Sequence, residues 1–498
     1  MTQADGFDPD SVPFERGHYI GGKVVDDAAE HLTVARPSDL RPYADLPLGT
    51  ADTVDRAVAS ARHALESSGW GTQAPRERVR AMRRWADLVE QHQEDLGRLE
   101  ALGSTRPISQ VVDSDVASVA EGIRFFSEWA DKLGGDVAAT RSDDLGMILS
   151  EPYGVVGAIT PWNFPLSMAS WKAGPALAAG NAIVLKPSEL TPFSTVRLAQ
   201  LAVEAGIPAG IFNVVHGSGA VTGEAISRHP GIAKVSFTGS TRTGVAVMKA
   251  AAESGVKAVT LELGGKSPQL VFADADLEQT ADCIAGSLLS NAGQACVAGS
   301  RLIVERSVEE ALVSLLRQKL ARAVAGHTWK ASTNFAPIVS ETQARRIDRI
   351  LQDSVGQGAE CVIGGKRIEG YGGAYYQPTL LTNVDATTAA VREEIFGPVL
   401  TIQAFDSEEE GLALADHPEY GLAAGVYTRD LGRAMRAMRA MQAGTVWINR
   451  YSRTMDFILP TGGYKSSGIG KDLGRAAVEQ NLRHKTVLVN IGADMAAR

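Results

Sequence analysis

The fold class this sequence predicts is α/β, built from two strand–helix units around parallel sheets. Two observations carry that reading. Apolar, β-rich runs alternate with small-residue helical runs from residue 153 onward, and a second such series begins near residue 268; this is the rhythm of parallel sheets covered by helices. The chain has 498 residues, 44% apolar and 21% charged, which is ordinary globular composition and enough length for about three domains or lobes.

The elements follow in order. Residues 50–105 repeat apolar positions at three- and four-residue spacing and fill the rest with charge, which predicts amphipathic helices with one solvated face. GVVGAIT (154–160) predicts a strand, with helix after it up to Ala179. AIVLK (182–186) is the next strand, and the following TPFSTVRLAQLAVEAG predicts a helix with Thr191 as N-cap and Gly206 as its stop. IFNVV (211–215), KVSFT (234–238) and AVTLEL (258–263) continue the series up to a boundary at Gly264–Gly265. Beyond it come the strand SPQLVFA, the helical run ADLEQTADCIAGSLLSNAG, the strand SRLIVE and helices at 308–325 and 340–355. HKTVLVNIG (484–492) is a lone β-like run with no partner in its own lobe, which predicts pairing elsewhere, another chain included.

Bulk properties exclude several function classes. The formal net charge of −9 argues against a nucleic-acid or anionic-membrane surface. The three cysteines, Cys283, Cys296 and Cys361, form no CxxC pair and read as reduced thiols of a cytoplasmic protein. The opening MTQADGFDPDSVPFERG lacks the basic and apolar regions of a secretory signal. The chain contains no apolar run of about 18 residues, so no membrane span is expected. Nine scattered histidines give no HxxH or HExxH pair, and no metal site is expected.

Four stretches carry chemistry. FTGSTRTG (237–244) follows a strand and opens a helix, so its backbone N–H groups and Ser240 suit a pyrophosphate; HGSGAVTG (216–223) has glycines spaced too widely for the dinucleotide fingerprint. In LKPSEL (185–190) Lys186 and Glu189 lie three residues apart on a turn, placed either to bind ribose hydroxyls or to form a plain ion pair. VTLELGG (259–265) leaves Glu262 at the end of an apolar strand. There it either faces water or, if buried, is paired or has the raised pKa of a general base. NAGQACVAGS (291–300) surrounds Cys296 with small residues, which suits a buried structural thiol or a nucleophile with room for a carbonyl.

Taken together these motifs resemble the aldehyde dehydrogenase superfamily. PWNFP (161–165), KPSE (186–189), FTGS (237–240), LELGGKSP (261–268), GQACVAGSR (293–301), EEIFGPV (393–399) and GGYKSSGIG (462–470) occur in the family's order over essentially the whole chain. The resemblance implies a Rossmann-like cofactor domain (1–133 and 153–264), an α/β catalytic domain (265–475) and a small β oligomerisation element (134–152 and 476–498). In the family that last strand joins a neighbouring subunit's sheet, which implies a homodimer or homotetramer. The resemblance further implies oxidation of an aldehyde to a carboxylic acid with NAD, NADP being the alternative. Cys296 would form a thiohemiacetal and then a thioester, Asn163 would hold the oxyanion, and Glu262 would activate water. Lys172 and Asp472 match a proton-relay pair, with Asp472 where relatives often carry Glu. Thr160, Trp162, Lys186, Glu189, Gly239, Ser240 and Leu263 would contact the cofactor, with Glu394 and Phe396 on its nicotinamide-ribose side. Phe164, Trp171 and Phe457 would wall the aldehyde tunnel, and Thr461 stands where many relatives have Phe. Arg453 and Asp456 lie in the loop where relatives select substrates; Arg453 could pair with an acidic or hydroxylated aldehyde or sit on the surface. Two other readings are a CoA-acylating relative, which typically lacks a Glu at position 262, and a non-catalytic protein of the same fold.

Overall fold

The computed structural model describes residues 6–453 and 456–492. Its first sheet has eight strands. Five parallel ones form the middle, in the order Phe212–Val214, Ala182–Lys186, Val155–Ile159, Lys234–Thr238, Ala258–Glu262. The strands of this middle part are almost fully buried, as parallel strands covered on both faces must be. Short strands that the sequence pattern did not reveal extend both edges. A hairpin of His18–Ile20 and Lys23–Val25 adds antiparallel beside Phe212–Val214, and Gly468–Ile469 pairs antiparallel with Ala258–Glu262. That second addition brings a late stretch of chain back to the end of the strand carrying Glu262.

The second sheet has seven strands, with Pro268–Val271 and Arg301–Glu305 at its centre, flanked by Ala423–Tyr427 and Val399–Phe405. All its pairings are parallel except that of the edge strand Glu360–Ile363 with Thr379–Thr382. The two sheets meet where Glu262 ends one and Pro268 begins the other.

Two expectations are corrected in detail, and the partner expected elsewhere for the terminal strand is found within the chain. The run at 484–492 is not alone: Leu482–Asn490 pairs antiparallel along its length with Asp144–Pro152 of the same chain, and Asp136–Ala138 completes a three-stranded sheet. The helix expected to be capped by Thr191 starts at Phe193 with no side-chain cap. Thr191 belongs instead to the preceding turn, donating its N–H to the Ser188 carbonyl, and Pro192 between them carries no N–H to bond. The helix expected to reach Gly293 ends at Leu289. Among the described residues no helix is long and apolar enough to cross a membrane.

Candidate active site

The backbone leading to Cys296 follows a strained path. After Leu289, Asn291 (φ 49°, ψ 32°) and Ala292 (φ 51°, ψ 42°) turn left-handed, which costs about 1–2 kcal/mol for each such residue. Buried hydrogen bonds hold the turn. Asn291 Nδ2 donates to the Asn163 carbonyl at 2.9 Å, and its Oδ1 accepts from the Thr105 hydroxyl at 2.6 Å. Gln294 Nε2 donates to the carbonyls of Asn291 and Pro337 and its Oε1 accepts from Val339 N–H, each at 2.9 Å. From another side the Tyr451 hydroxyl donates to the Val297 carbonyl at 2.8 Å. A methyl group at Gly265 would come 2.6 Å from the Cys296 carbonyl oxygen, so the glycine lets the two sheets close on the cysteine loop.

Cys296 is half-buried and free. Loss of hydration pushes its thiol up to about 11, the Arg453 charge acting in the opposite direction. It lines a cleft of about 680 Å³ together with Trp162, Asn163, Gly239, Ser240, Leu263, Glu394 and Phe396. Asn163 Nδ2 donates to the Gln294 carbonyl at 2.9 Å. Because that partner is an acceptor, the amide orientation is fixed and its second N–H is directed elsewhere.

Glu262 is buried, and its Oε1 has no hydrogen-bond partner. Burial, reinforced by the charge of Asp472, raises its carboxyl well above the usual range; Lys172, Arg453 and Lys471 act in the opposite direction. A side chain at Gly462 would come 2.9 Å from Glu262 Oε1, so this glycine clears the carboxylate. Lys172 Nζ meets Asp472 Oδ2 at 2.6 Å in the interior. The shorter acid therefore still reaches the lysine. The backbones of Asp472 and Thr461 bond reciprocally, at 2.7 and 2.9 Å.

A second cleft, of about 1060 Å³, lies on the first sheet's flank, lined by Ile159, Gly223, Phe237, Arg242 and Val247 among others. Lys186, whose side chain lies against Gly223 of that cleft, bonds Glu189 at 3.1 Å; burial lowers the lysine, with Glu189 acting against the shift. Ser240 caps the Thr241–Glu253 helix by accepting the Thr243 N–H. Thr160 Oγ1 and Thr238 Oγ1 are buried without partners. An extended ligand with polar groups in the middle and flat rings at both ends suits this groove, and NAD is such a ligand.

A family model described as the aldehyde dehydrogenase family matches residues 24–487. The chain belongs to the aldehyde dehydrogenase family. Among its relatives is the NADP/NAD-dependent aldehyde dehydrogenase PuuC of Escherichia coli (strain K12), 41% identical over 97% of each chain. Similar solved structures include a mutant of the P. syringae indole-3-acetaldehyde dehydrogenase AldA in complex with NAD+ and IAA (41% identity, TM-score 0.94, covering 97% of this chain and 98% of that one). Another is the gamma-glutamyl-gamma-aminobutyraldehyde dehydrogenase from Burkholderia cenocepacia J2315 (40% identity, TM-score 0.94, with coverage of 97% and 98%).

Within this aldehyde dehydrogenase the remaining expected residues divide. The Trp162 and Phe396 rings meet edge to face at 5.2 Å. Glu394 Oε1 accepts the Gly265 N–H at 3.0 Å. Phe164 lies under the Arg106 guanidinium at 4.7 Å. Arg453 turns inward, its guanidinium 5.3 Å from the Trp171 ring and its Nη2 donating to Thr461 Oγ1 at 2.7 Å. Phe457 is buried in the first unit's core, with its ring against Gly122. Its left-handed backbone (φ 55°) carries the side chain inward. Asp456 is described and has a partner of its own.

Sequence reading missed Asn291, Gln343 and the second cleft. Gln343 Nε2 donates to the carbonyls of Ile395 and Phe396, each at 2.9 Å, steadying the strained Phe396 (φ 57°). No local pattern marks such residues. Asn291 opens the stretch 291–300, but its partners lie 128 and 186 positions away.

Proposed function

We propose that the protein oxidises an aldehyde to a carboxylic acid with an NAD-type cofactor, using Cys296 as nucleophile and Glu262 as base. One observation carries this reading: a free thiol and the Asn163 amide line one cleft, and an unpaired buried carboxylate stands at the adjoining strand end. The substrate carbonyl enters beside Cys296, and the sulfur adds to it as a thiohemiacetal. The second Asn163 N–H and the Cys296 backbone N–H receive the developing oxyanion; no backbone acceptor engages the latter among the described residues. Losing one such donor typically costs about 10²–10³ in turnover. Bound NAD would supply the hydride acceptor, so that the thiohemiacetal is oxidised to a thioester on Cys296. Glu262 then takes a proton from water, and the water hydrolyses the thioester to the acid. Lys172 and Asp472 relay that proton inward from the base.

Trp162, Glu394, Phe396 and Leu263 hold the nicotinamide end, Ser240, Gly239 and Thr160 the phosphates, and Lys186 with Glu189 the ribose. Residues lining the second cleft hold the adenine. A carboxylate on the ribose favours NAD over NADP, because it repels a 2′-phosphate. Phe164, Trp171 and Thr461 line the aldehyde's path. Residues 1–133 and 153–264 form the cofactor domain and 265–475 the catalytic domain. The element of 134–152 and 476–498, which carries the strands Asp136–Ala138, Asp144–Pro152 and Leu482–Asn490, joins subunits into a dimer or tetramer. The three free cysteines suit the reducing cytoplasm.

The test is Cys296→Ala. Aldehyde-dependent NADH release is expected to vanish while NAD binding, followed by calorimetry, persists. Turnover near that of the parent enzyme would remove Cys296 from the mechanism.

A further inference from the structure

Arg453 is a charged group beside the aldehyde pocket that oxidation itself does not require. Its guanidinium is held on one face and at one edge: the Trp171 ring lies 5.3 Å away and Thr461 Oγ1 accepts from Nη2 at 2.7 Å. The Nε–H is buried and has no partner among the described residues. The hydrogen-bond partner it does have among the described residues, the Thr461 hydroxyl, is neutral. Its charge is felt at both the Cys296 thiol and the Glu262 carboxyl, which places it beside the reacting centre.

We infer that Arg453 anchors a carboxylate at the far end of the substrate, so that the preferred aldehyde is anionic. The inference rests on the oxidation reading above and adds the substrate class. A half-buried guanidinium that keeps a donor unbonded lacks an acceptor, and a planar carboxylate fits its fork with charge-assisted bonds. Thr461 sets the orientation of that fork, because its hydroxyl fixes one Nη. The Trp171 face bounds the guanidinium on one side, leaving its edge as the direction of approach. A large aromatic side chain at 461 would supply no acceptor for the arginine. The product would then be a dicarboxylate, one acid pre-existing and one formed at Cys296.

The test compares pairs of aldehydes that differ by a carboxylate in place of a methyl: succinic semialdehyde against butanal, and para-carboxybenzaldehyde against para-methylbenzaldehyde. For at least one pair the carboxylate member is expected to have kcat/KM about 10- to 100-fold higher, the range of a charge-assisted hydrogen bond. Arg453→Met is expected to abolish that ratio and Arg453→Lys to retain part of it. Two outcomes overturn the inference while leaving the oxidation reading intact: no preference in either pair although all four are oxidised, or an equal loss on both members in Arg453→Met, which would make the arginine an activator of the thiol. Oxidation of none of the four would remove the underlying reading as well.

Discussion

Glu262 carries opposing demands in a single side chain. A carboxylate at a strand end, buried and unpaired, is an expensive group to fold around. Its carboxyl is held well above the ordinary value of 4.5, so the native state keeps a proton that the unfolded state has released. Stability from this group therefore falls as pH rises above that ordinary value. Glu262→Gln removes the charge, and its gain in Tm is expected to be larger at about pH 8 than at about pH 5. In the same variant the thioester should accumulate, giving a burst of NADH stoichiometric with enzyme and little steady turnover. An unchanged steady rate would exclude Glu262 as the base; a Tm gain independent of pH would exclude a raised carboxyl. The residue is thus an example of a site where function and stability pull apart.

At the scale of elements, the segment 461–472 is what turns two sheets into a site. It pairs with the strand ending at Glu262, bonds Thr461 to Asp472 through the backbone, and sets Asp472 against Lys172 of the Pro165–Ala178 helix. Lys172→Met would leave Asp472 buried without its counter-charge, at a cost of about 3–5 kcal/mol. Adding Asp472→Leu should restore most of the lost Tm in scanning calorimetry. Equal loss in the single and double variants would show that the pair is not coupled. Much of this layer was legible in the sequence: the five central strands of the first sheet and the helices between them follow from their apolar alternation. What was not legible depends on distance. The two-residue strand Gly468–Ile469 and the hairpin at 18–25 are too short to show a period, and only their partners define them. The left-handed turn at Asn291 and Ala292 runs against the helical preference of its own residues; tertiary hydrogen bonds overrule it. Arg453 could be read as a surface group because nothing near it in sequence announces Trp171.

For the whole molecule, the three-stranded sheet is the part with least cover. Val137, Leu149 and Val489 fall on one of its faces by strand register and are 74%, 39% and 37% exposed. An apolar face of this kind suits the subunit contact proposed above. Light scattering is expected to give the mass of a dimer or tetramer, and Val137→Asp with Leu149→Asp to lower it; a monomeric parent enzyme would refute the assembly. The long reach of the active-site contacts has a consequence for how the enzyme is made. Asn163 meets Gln294 across 131 positions and Lys172 meets Asp472 across 300. Synthesis runs from the N-terminus at about 5–20 residues per second, so the cysteine is translated roughly 10–35 s before the aspartate that completes its surroundings. A ribosome-bound chain that carries Cys296 but not yet residues 461–472 thus leaves Lys172 without its Asp472 partner and Arg453 without Thr461.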